Sequence, residues 1–227
     1  MKITYYGQAG FGLQLNGKDI LFDPFITPNE QAAGKVTLKE IPADYLLLTH
    51  GHFDHVADVP EIVKNTGAQI ISNYEITTYY GEQKMKGYPL NHGGKHTFDF
   101  GTVKYVNAVH SSVLPDGTYG GNAGGFVIWN DDVSFYHAGD TALTLDMQLI
   151  PMTCPKLDFA ILPIGDNFTM GYEDALIASD FIKCDKIIGC HFDTFPYIEI
   201  DKEAAKKAFA DKGKELIIME IGATQEI

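Results

Sequence analysis

The stretch from Tyr45 to His55 constrains this chain more than any other: Tyr-Leu-Leu-Leu-Thr runs directly into His50-Gly51-His52-Phe53-Asp54-His55. Residues 45–49 are a short apolar run that ends abruptly, which predicts a buried strand whose C-terminal end carries polar chemistry. Three imidazoles and a carboxylate fall within the next six positions. An extended chain alternates its side chains, so His50, His52 and Asp54 share one side. His55 comes at the turn into the next helix and faces a neighbouring position. Imidazole suits zinc, iron, cobalt and copper, and carboxylate is tolerated by harder ions. Three protein ligands with an open position describe a catalytic metal, so further donors must come from elsewhere in the chain.

Three later strand ends offer them. Ala108-Val109-His110-Ser111 ends one apolar run in a histidine, His137-Ala138-Gly139-Asp140-Thr141 ends another in a Gly-Asp-Thr turn, and Ile187-Ile188-Gly189-Cys190-His191 ends a third in a histidine. Core packing does not account for that recurrence.

Residues 2–6, 11–16 and 19–22 read as strands, with Asn16-Gly17 a hairpin turn. A long polar loop occupies 27–42, a type of segment that is often functional. A helix over 56–65 stops at Gly67, followed by a strand at 69–72 and a helix at 74–85. Strands return at 97–100, 102–109, 125–129 and 133–137, then a short helix at 144–150. The remainder reads as strand 159–163, helix 173–182, strand 186–190, helix 202–210 and strand 215–220. Two β-rich blocks, each followed by helices, predict a four-layer sandwich with sheets inside and helices outside. The expectation is one domain over 1–227, with its halves meeting near 130–132.

Thirty acidic residues against 17 basic ones give a formal net charge of −13. That disfavours nucleic acid, whose binding draws on lysine and arginine contacts to phosphate. It leaves room for a small anionic substrate, since bound metal makes a site locally positive. Cys154, Cys184 and Cys190 are odd in number and irregularly spaced, with no C-x-x-C, which argues against disulfides and thiolate zinc. No signal-like segment or membrane-length apolar run is present, so a cytoplasmic protein without a membrane partner is expected.

The run His50-Gly51-His52-Phe53-Asp54-His55, followed in order by His110, Asp140 and His191, resembles the metallo-β-lactamase superfamily. The similarity covers nearly the whole chain, including Leu21-Phe22-Asp23-Pro24. Tyr136-His137-Ala138-Gly139-Asp140-Thr141, Phe168-Thr169-Met170-Gly171 and His191-Phe192-Asp193-Thr194-Phe195-Pro196 resemble a branch of prokaryotic metal-dependent hydrolases related to the ascorbate-6-phosphate lactonases. The resemblance implies an α+β fold, the four-layer αββα sandwich of two mixed sheets with outer helices. It also implies two divalent metal ions per chain, with zinc the first expectation and manganese or iron the alternatives. By the same resemblance His50, His52 and His110 hold one ion, Asp54, His55 and His191 the second, and Asp140 bridges them. Self-association is expected from relatives in the lactonase branch.

Such a pair makes hydroxide available near neutral pH for attack on a small ester, lactone or phosphoester. Asp54 and Asp140 are the candidate catalytic residues, Asp54 as a proton shuttle. Asp23 and Thr49 are candidates for orienting the histidines. The loop Gly165–Gly171 precedes a helix whose N-terminus offers an anion site, making Asn167 a candidate substrate contact with Ser111 and Thr194. The plainer readings make Asp23 a strand stop before Pro24, Thr49 a satisfied hydroxyl, and Asn167, Ser111 and Thr194 ordinary loop residues. His92 and His96 read as residues of a polar turn, His137 as a strand residue, and Cys190 as a buried thiol. Competing functions are a catalytically silent metal sensor or scaffold, and a phosphodiesterase acting on nucleotides.

Overall fold

The computed structural model describes all 227 residues, Met1 to Ile227. Its first sheet contains β1 (Lys2–Gly7), β2 (Gly10–Leu15), β3 (Lys18–Phe22), β4 (Tyr45–Leu47), β5 (Gln69–Ser72) and β6 (Gly87–Pro89). The second contains β7 (Lys95–Phe98), β8 (Gly101–Asn107), β9 (Gly124–Trp129), β10 (Ser134–His137), β11 (Phe159–Pro163), β12 (Lys186–Cys190) and β13 (Glu215–Ile217). The last strand, β14 (Thr224–Glu226), returns to the first sheet and pairs with β1, so each sheet has seven strands. Helices α1 (Phe53–Val56), α2 (Val59–Thr66) and α3 (Tyr74–Glu82) follow strands of the first sheet, and α4 (Ile150–Thr153), α5 (Tyr172–Phe181) and α6 (Lys202–Ala210) those of the second.

The central strands are apolar at every position because both of their faces are covered. Along β11, Phe159 and Ile161 point between the sheets, and Ala160 and Leu162 point outward beneath the helices. In β4 and just beyond it, Leu47 faces the other sheet and Leu46 and Leu48 face α2 and α3. Three apolar clusters result, one between the sheets and one beneath each helical layer. This is the four-layer αββα sandwich expected from the sequence.

Several expectations need correction. The halves do not meet at 130–132. Asn130 builds a hairpin turn there, accepting from the amides of Asp132 and Val133, and this keeps β9 and β10 antiparallel neighbours in one sheet. The chain changes sheets earlier, between β6 and β7. The strands β6 and β14 are too short, at three residues each, to show alternation in the sequence. The helix expected at 56–65 is two helices, because the Asp58 carboxylate accepts from the amides of Ile26 and Thr27 and pins the chain at that point. The segment 144–150 starts as a 3-10 helix, Leu145–Leu149, before α4 begins with Pro151 in its first turn. The strand expected at 97–100 is β7, displaced two residues toward the N-terminus, and that at 215–220 ends at Ile217. The loop 27–42 contains two single 3-10 turns and buries Ala32 and Ile41.

Strand direction positions the site. The strands β3, β4 and β5 are mutually parallel, as are β10, β11 and β12. Both β8 and β10 run antiparallel to β9, so β8 is parallel to β10. The C-terminal ends of β3, β4, β8, β10 and β12 therefore open onto one edge of the sandwich.

Candidate metal centre

All seven expected donor residues converge at that edge, in two groups. One is His50, His52 and His110, and the other is Asp54, His55, Asp140 and His191, with donor atoms in each group within 4.8 Å of one another. Asp140 sits between them. Its Oδ2 is 3.9 Å from His50 Nε2 and 3.6 Å from His110 Nε2 on one side, and 3.0 Å from His191 Nε2 on the other. Its Oδ1 is 3.3 Å from His55 Nε2. Asp54 Oδ2 is 3.5 Å from both His55 Nε2 and His191 Nε2.

Hydrogen bonds at the back of the site assign the tautomers. Asp23, fully buried, accepts from the Thr49 amide at 2.9 Å, from the Thr49 hydroxyl at 2.6 Å and from His55 Nδ1 at 2.9 Å. The only hydroxyl proton of Thr49 goes to Asp23, so the 3.0 Å contact between Thr49 Oγ1 and His50 Nδ1 requires the ring to donate. Both His50 and His55 thus carry their proton on Nδ1 and turn Nε2 toward the site. The His50 Nε2 and His52 Nδ1 atoms face each other at 3.0 Å.

These residues fit a pair of metal ions. Donors about 2.1 Å from a tetrahedral ion lie about 3.4 Å from one another, which matches the spacing here. His55 Nε2 and Asp140 Oδ1 are buried and accept or donate no hydrogen bond, although buried polar atoms are nearly always paired. A cation held by these residues would supply the missing partner. Burial, reinforced by neighbouring His55, holds His50 well below the usual histidine range, and burial also lowers His52 and His110. Burial depresses His55 and His191 too, but the carboxylates, Asp140 first, reverse this, raising His55 well above its ordinary value and His191 to about 9. Those carboxylates draw positive charge into the site. Despite burial, His191 and His55 keep Asp140 ionised.

The Gly-Asp-Thr turn that delivers Asp140 depends on Gly139, at φ +61°. A Cβ there would lie 2.6 Å from Thr49 Cβ, so the turn packs directly on the strand that carries His50.

The donors floor a cleft of about 390 Å³. A larger hollow of about 560 Å³ lies at the opposite edge, lined by residues such as Met1, Asn130 and Lys186, and brings no donor cluster together. Ser111 lines the metal cleft, its Oγ 3.3 Å from His52 Nε2. Thr194 does not line it, and its hydroxyl turns to the Phe192 carbonyl. Asn167 is exposed and lines a different hollow, beside the carboxylates of Asp166, Glu173, Glu199 and Asp201. Asp166 and Asn167 both adopt positive φ, at 60° and 54°, and this tight turn sends Phe168 into the metal cleft in place of Asn167. Ser112 is buried and pins the histidine loop, accepting from the Gly51 amide and donating to the Gly120 carbonyl. His137 Nε2 donates to the Ala9 carbonyl and its Nδ1 accepts from the Gly139 amide, so neither nitrogen is free. His92 Nε2 donates to the Ala123 carbonyl, and His96 stacks on Tyr88. Cys190 is buried between the sheets.

Sequence reasoning missed Gln8. This residue is fully buried in the β1–β2 turn at φ +53°. Its amide donates to Asp54 Oδ2 at 2.8 Å, and its carbonyl accepts the His191 amide at 2.8 Å. The available signal was a polar residue inside the glycine-flanked turn Gly7-Gln8-Ala9-Gly10.

Two facing seven-stranded sheets, outer helices and a split His/Asp donor set at one edge define a metal-dependent hydrolase of the metallo-β-lactamase class. The beta-lactamase superfamily domain model matches residues 2–191. The chain is 58% identical over 227 residues to a UPF0173 metal-dependent hydrolase of Christiangramia forsetii and 60% identical to one of Flavobacterium johnsoniae, with both chains covered completely in each case. Among solved structures it resembles Igni18, a metallo hydrolase from the archaeon Ignicoccus hospitalis, with a TM-score of 0.89 and 33% identity over 100% of this chain and 98% of that one. This chain belongs to the UPF0173 metal-dependent hydrolase family, within the beta-lactamase superfamily. No helix is long and apolar enough to cross a membrane.

Proposed function

We propose that the chain hydrolyses a small ester, lactone or phosphoester in the cleft above its donor cluster. The observation that carries this reading is the convergence of seven donors from four strand ends on one solvent-open cleft. His50, His52 and His110 would hold one ion, and Asp54, His55 and His191 a second, with Asp140 shared between them. The nitrogen-rich donor set suits zinc first, with manganese and iron as alternatives set by availability. Two bound divalent ions would supply acidity to a water they share and polarise the substrate oxygen.

The chain's own residues do the rest. Asp54 is the more exposed of the two carboxylates, its side chain 23% accessible against 3% for Asp140. It faces the cleft and is held in place by Gln8, where it can accept a proton from an attacking water and return it to the leaving group. Asp140 contacts both histidine groups and fixes their separation. Asp23 and Thr49 hold the His50 and His55 rings in the tautomer that turns Nε2 toward the cleft. Ser111 is the hydroxyl at the rim that can reach a bound substrate.

Elemental analysis of protein purified without chelator tests the reading, coupled to hydrolysis assays on a broad panel of esters, lactones and phosphoesters. The expectation is about two metal equivalents per chain and turnover that chelation abolishes. Asp140→Ala should lose at least one equivalent and nearly all turnover. Full activity with both ions retained in that variant would sink the assignment.

A further inference from the structure

We infer that the cleft accepts an uncharged substrate bearing an apolar, ring-sized group beside the bond that is broken, an arylalkyl ester or lactone in preference to a phosphoester. This deepens the hydrolytic reading of the same cleft and rests on it. Apart from donor residues, the cleft is walled by Phe53, Phe168, Phe195 and Ser111 alone.

Large apolar side chains left in water forgo the burial that stabilises a fold, and an exposed apolar cluster around a cleft is a mark of binding. Phe53 is 60% exposed and Phe168 51%. These rings are fixed relative to the donors. Phe53 lies between His52 and Asp54 in the chain, edge-on to buried Phe25 with centroids 5.8 Å apart. Phe195 follows His191 by four positions and tilts against the same Phe25 at 6.1 Å. Phe168 sits on the turn whose Met170 amide bonds the Thr141 carbonyl, one residue beyond Asp140. It meets Tyr197 edge-on at 6.1 Å. The backbone that places the donors therefore also places the rings, and a flat apolar group entering the cleft meets aromatic walls on several sides.

An anionic group finds no matching partner in the protein. All 17 basic residues are lysines, so the chain has no guanidinium fork for phosphate or carboxylate. No lysine lines the cleft. Lys202, which follows the Phe195 loop, is paired with Asp193 at 2.8 Å. The N-terminus of α5, an anion site by the sequence alone, opens onto the separate hollow with four carboxylates and carries Glu173 and Asp174 in its own first turn. Beyond metal, a charged substrate oxygen has only Ser111.

The test uses metal-loaded protein and probes that separate ring from charge. Methyl phenylacetate and methyl acetate share a leaving group and differ by the ring, and benzyl phosphate keeps a ring but adds charge. Binding of phenylacetamide, followed by calorimetry, reads ring recognition without turnover. The expected kcat/KM favours methyl phenylacetate over methyl acetate by on the order of tenfold, and benzyl phosphate trails both. Phe168→Ala and Phe53→Ala should each pull that ratio toward one, chiefly through KM, and weaken phenylacetamide by on the order of tenfold. Equal rates on the two methyl esters, preference for benzyl phosphate, or phenylacetamide binding unmoved by both variants overturns the inference and leaves the hydrolase standing. A change of oligomeric mass in the variants with unchanged phenylacetamide binding also overturns it, making the rim a contact between copies. Absence of turnover across the whole panel removes the hydrolytic reading, and this substrate assignment with it.

Discussion

Asp23 shows how much one carboxylate governs at this site. It accepts three hydrogen bonds in a fully buried position, and two of its partners set the tautomers of His55 and, through Thr49, of His50. Asp23→Asn keeps the shape but replaces one acceptor oxygen with a donor, which cannot face both the Thr49 hydroxyl proton and His55 Nδ1–H. Metal affinity should fall about 10- to 100-fold, measured by competition with a chromophoric chelator, with the fold intact by circular dichroism. Unchanged affinity would reduce Asp23 to a strand stop. Gln8→Ala frees Asp54 while leaving the main-chain bond to His191 in place, so kcat should drop more than metal content. Equal losses in both would mean that Gln8 holds the cage and not the proton acceptor. The donors were legible in the sequence because His50, His110, Asp140 and His191 come at or just beyond the ends of apolar strands, and the resemblance of the His50–His55 run completed the set with His52, Asp54 and His55, the last two of which lie in α1. Asn167 was not, because two consecutive residues at positive φ decide which side chain of that turn enters the cleft, and no periodicity encodes such a turn. Gln8 escaped for a related reason: its importance lies in a contact 46 residues away along the chain.

At the scale of elements, the Gly-Asp-Thr turn after β10 joins the two sheets. Its Gly139 occupies left-handed backbone with a would-be Cβ 2.6 Å from Thr49. Gly139→Ala combines backbone strain with a clash against the strand carrying His50, at a cost of about 2–3 kcal/mol. Urea unfolding should show that loss, together with weaker metal binding, because Asp140 and Thr49 are forced apart. A loss below about 0.5 kcal/mol would show that the turn relaxes freely. Strands buried on both faces announced themselves as apolar runs, and this made the two-sheet core readable. The edges were not readable. The short strands β6 and β14 bury little, and their pairing is decided by the neighbours β5 and β1. The sheet boundary was misplaced because the hairpin signal at Asn130 to Val133 marks a turn, and a turn in the sequence does not say whether the chain stays in its sheet.

For the whole molecule, metal and charge are coupled. The chain carries a formal −13, and it buries Asp140 and Asp23 in the layer where the sheets meet the cleft. Self-repulsion of that size opposes compaction and is screened by salt. Metal ions held by these donors would act at one place, compensating the buried carboxylates and binding only the folded arrangement of donors drawn from both sheets. Any ligand specific to the native state stabilises it by mass action, about 2.7 kcal/mol at a free concentration 100 times its Kd. Chelation should therefore lower the calorimetric Tm by several degrees, by about 2–4 °C per kcal/mol for a chain of this size. Raising monovalent salt from about 0.02 to about 0.2 M should recover only part of the loss, because screening reaches the exposed acids and not Asp140. If salt restores the full Tm of the metal-free protein, the stabilisation came from overall charge and the cage contributes little to holding the sheets together. If salt leaves a gap that only transition metal closes, the donors from β4, β8, β10 and β12 act as a clamp between the two sheets, and the site that performs the chemistry also secures the fold.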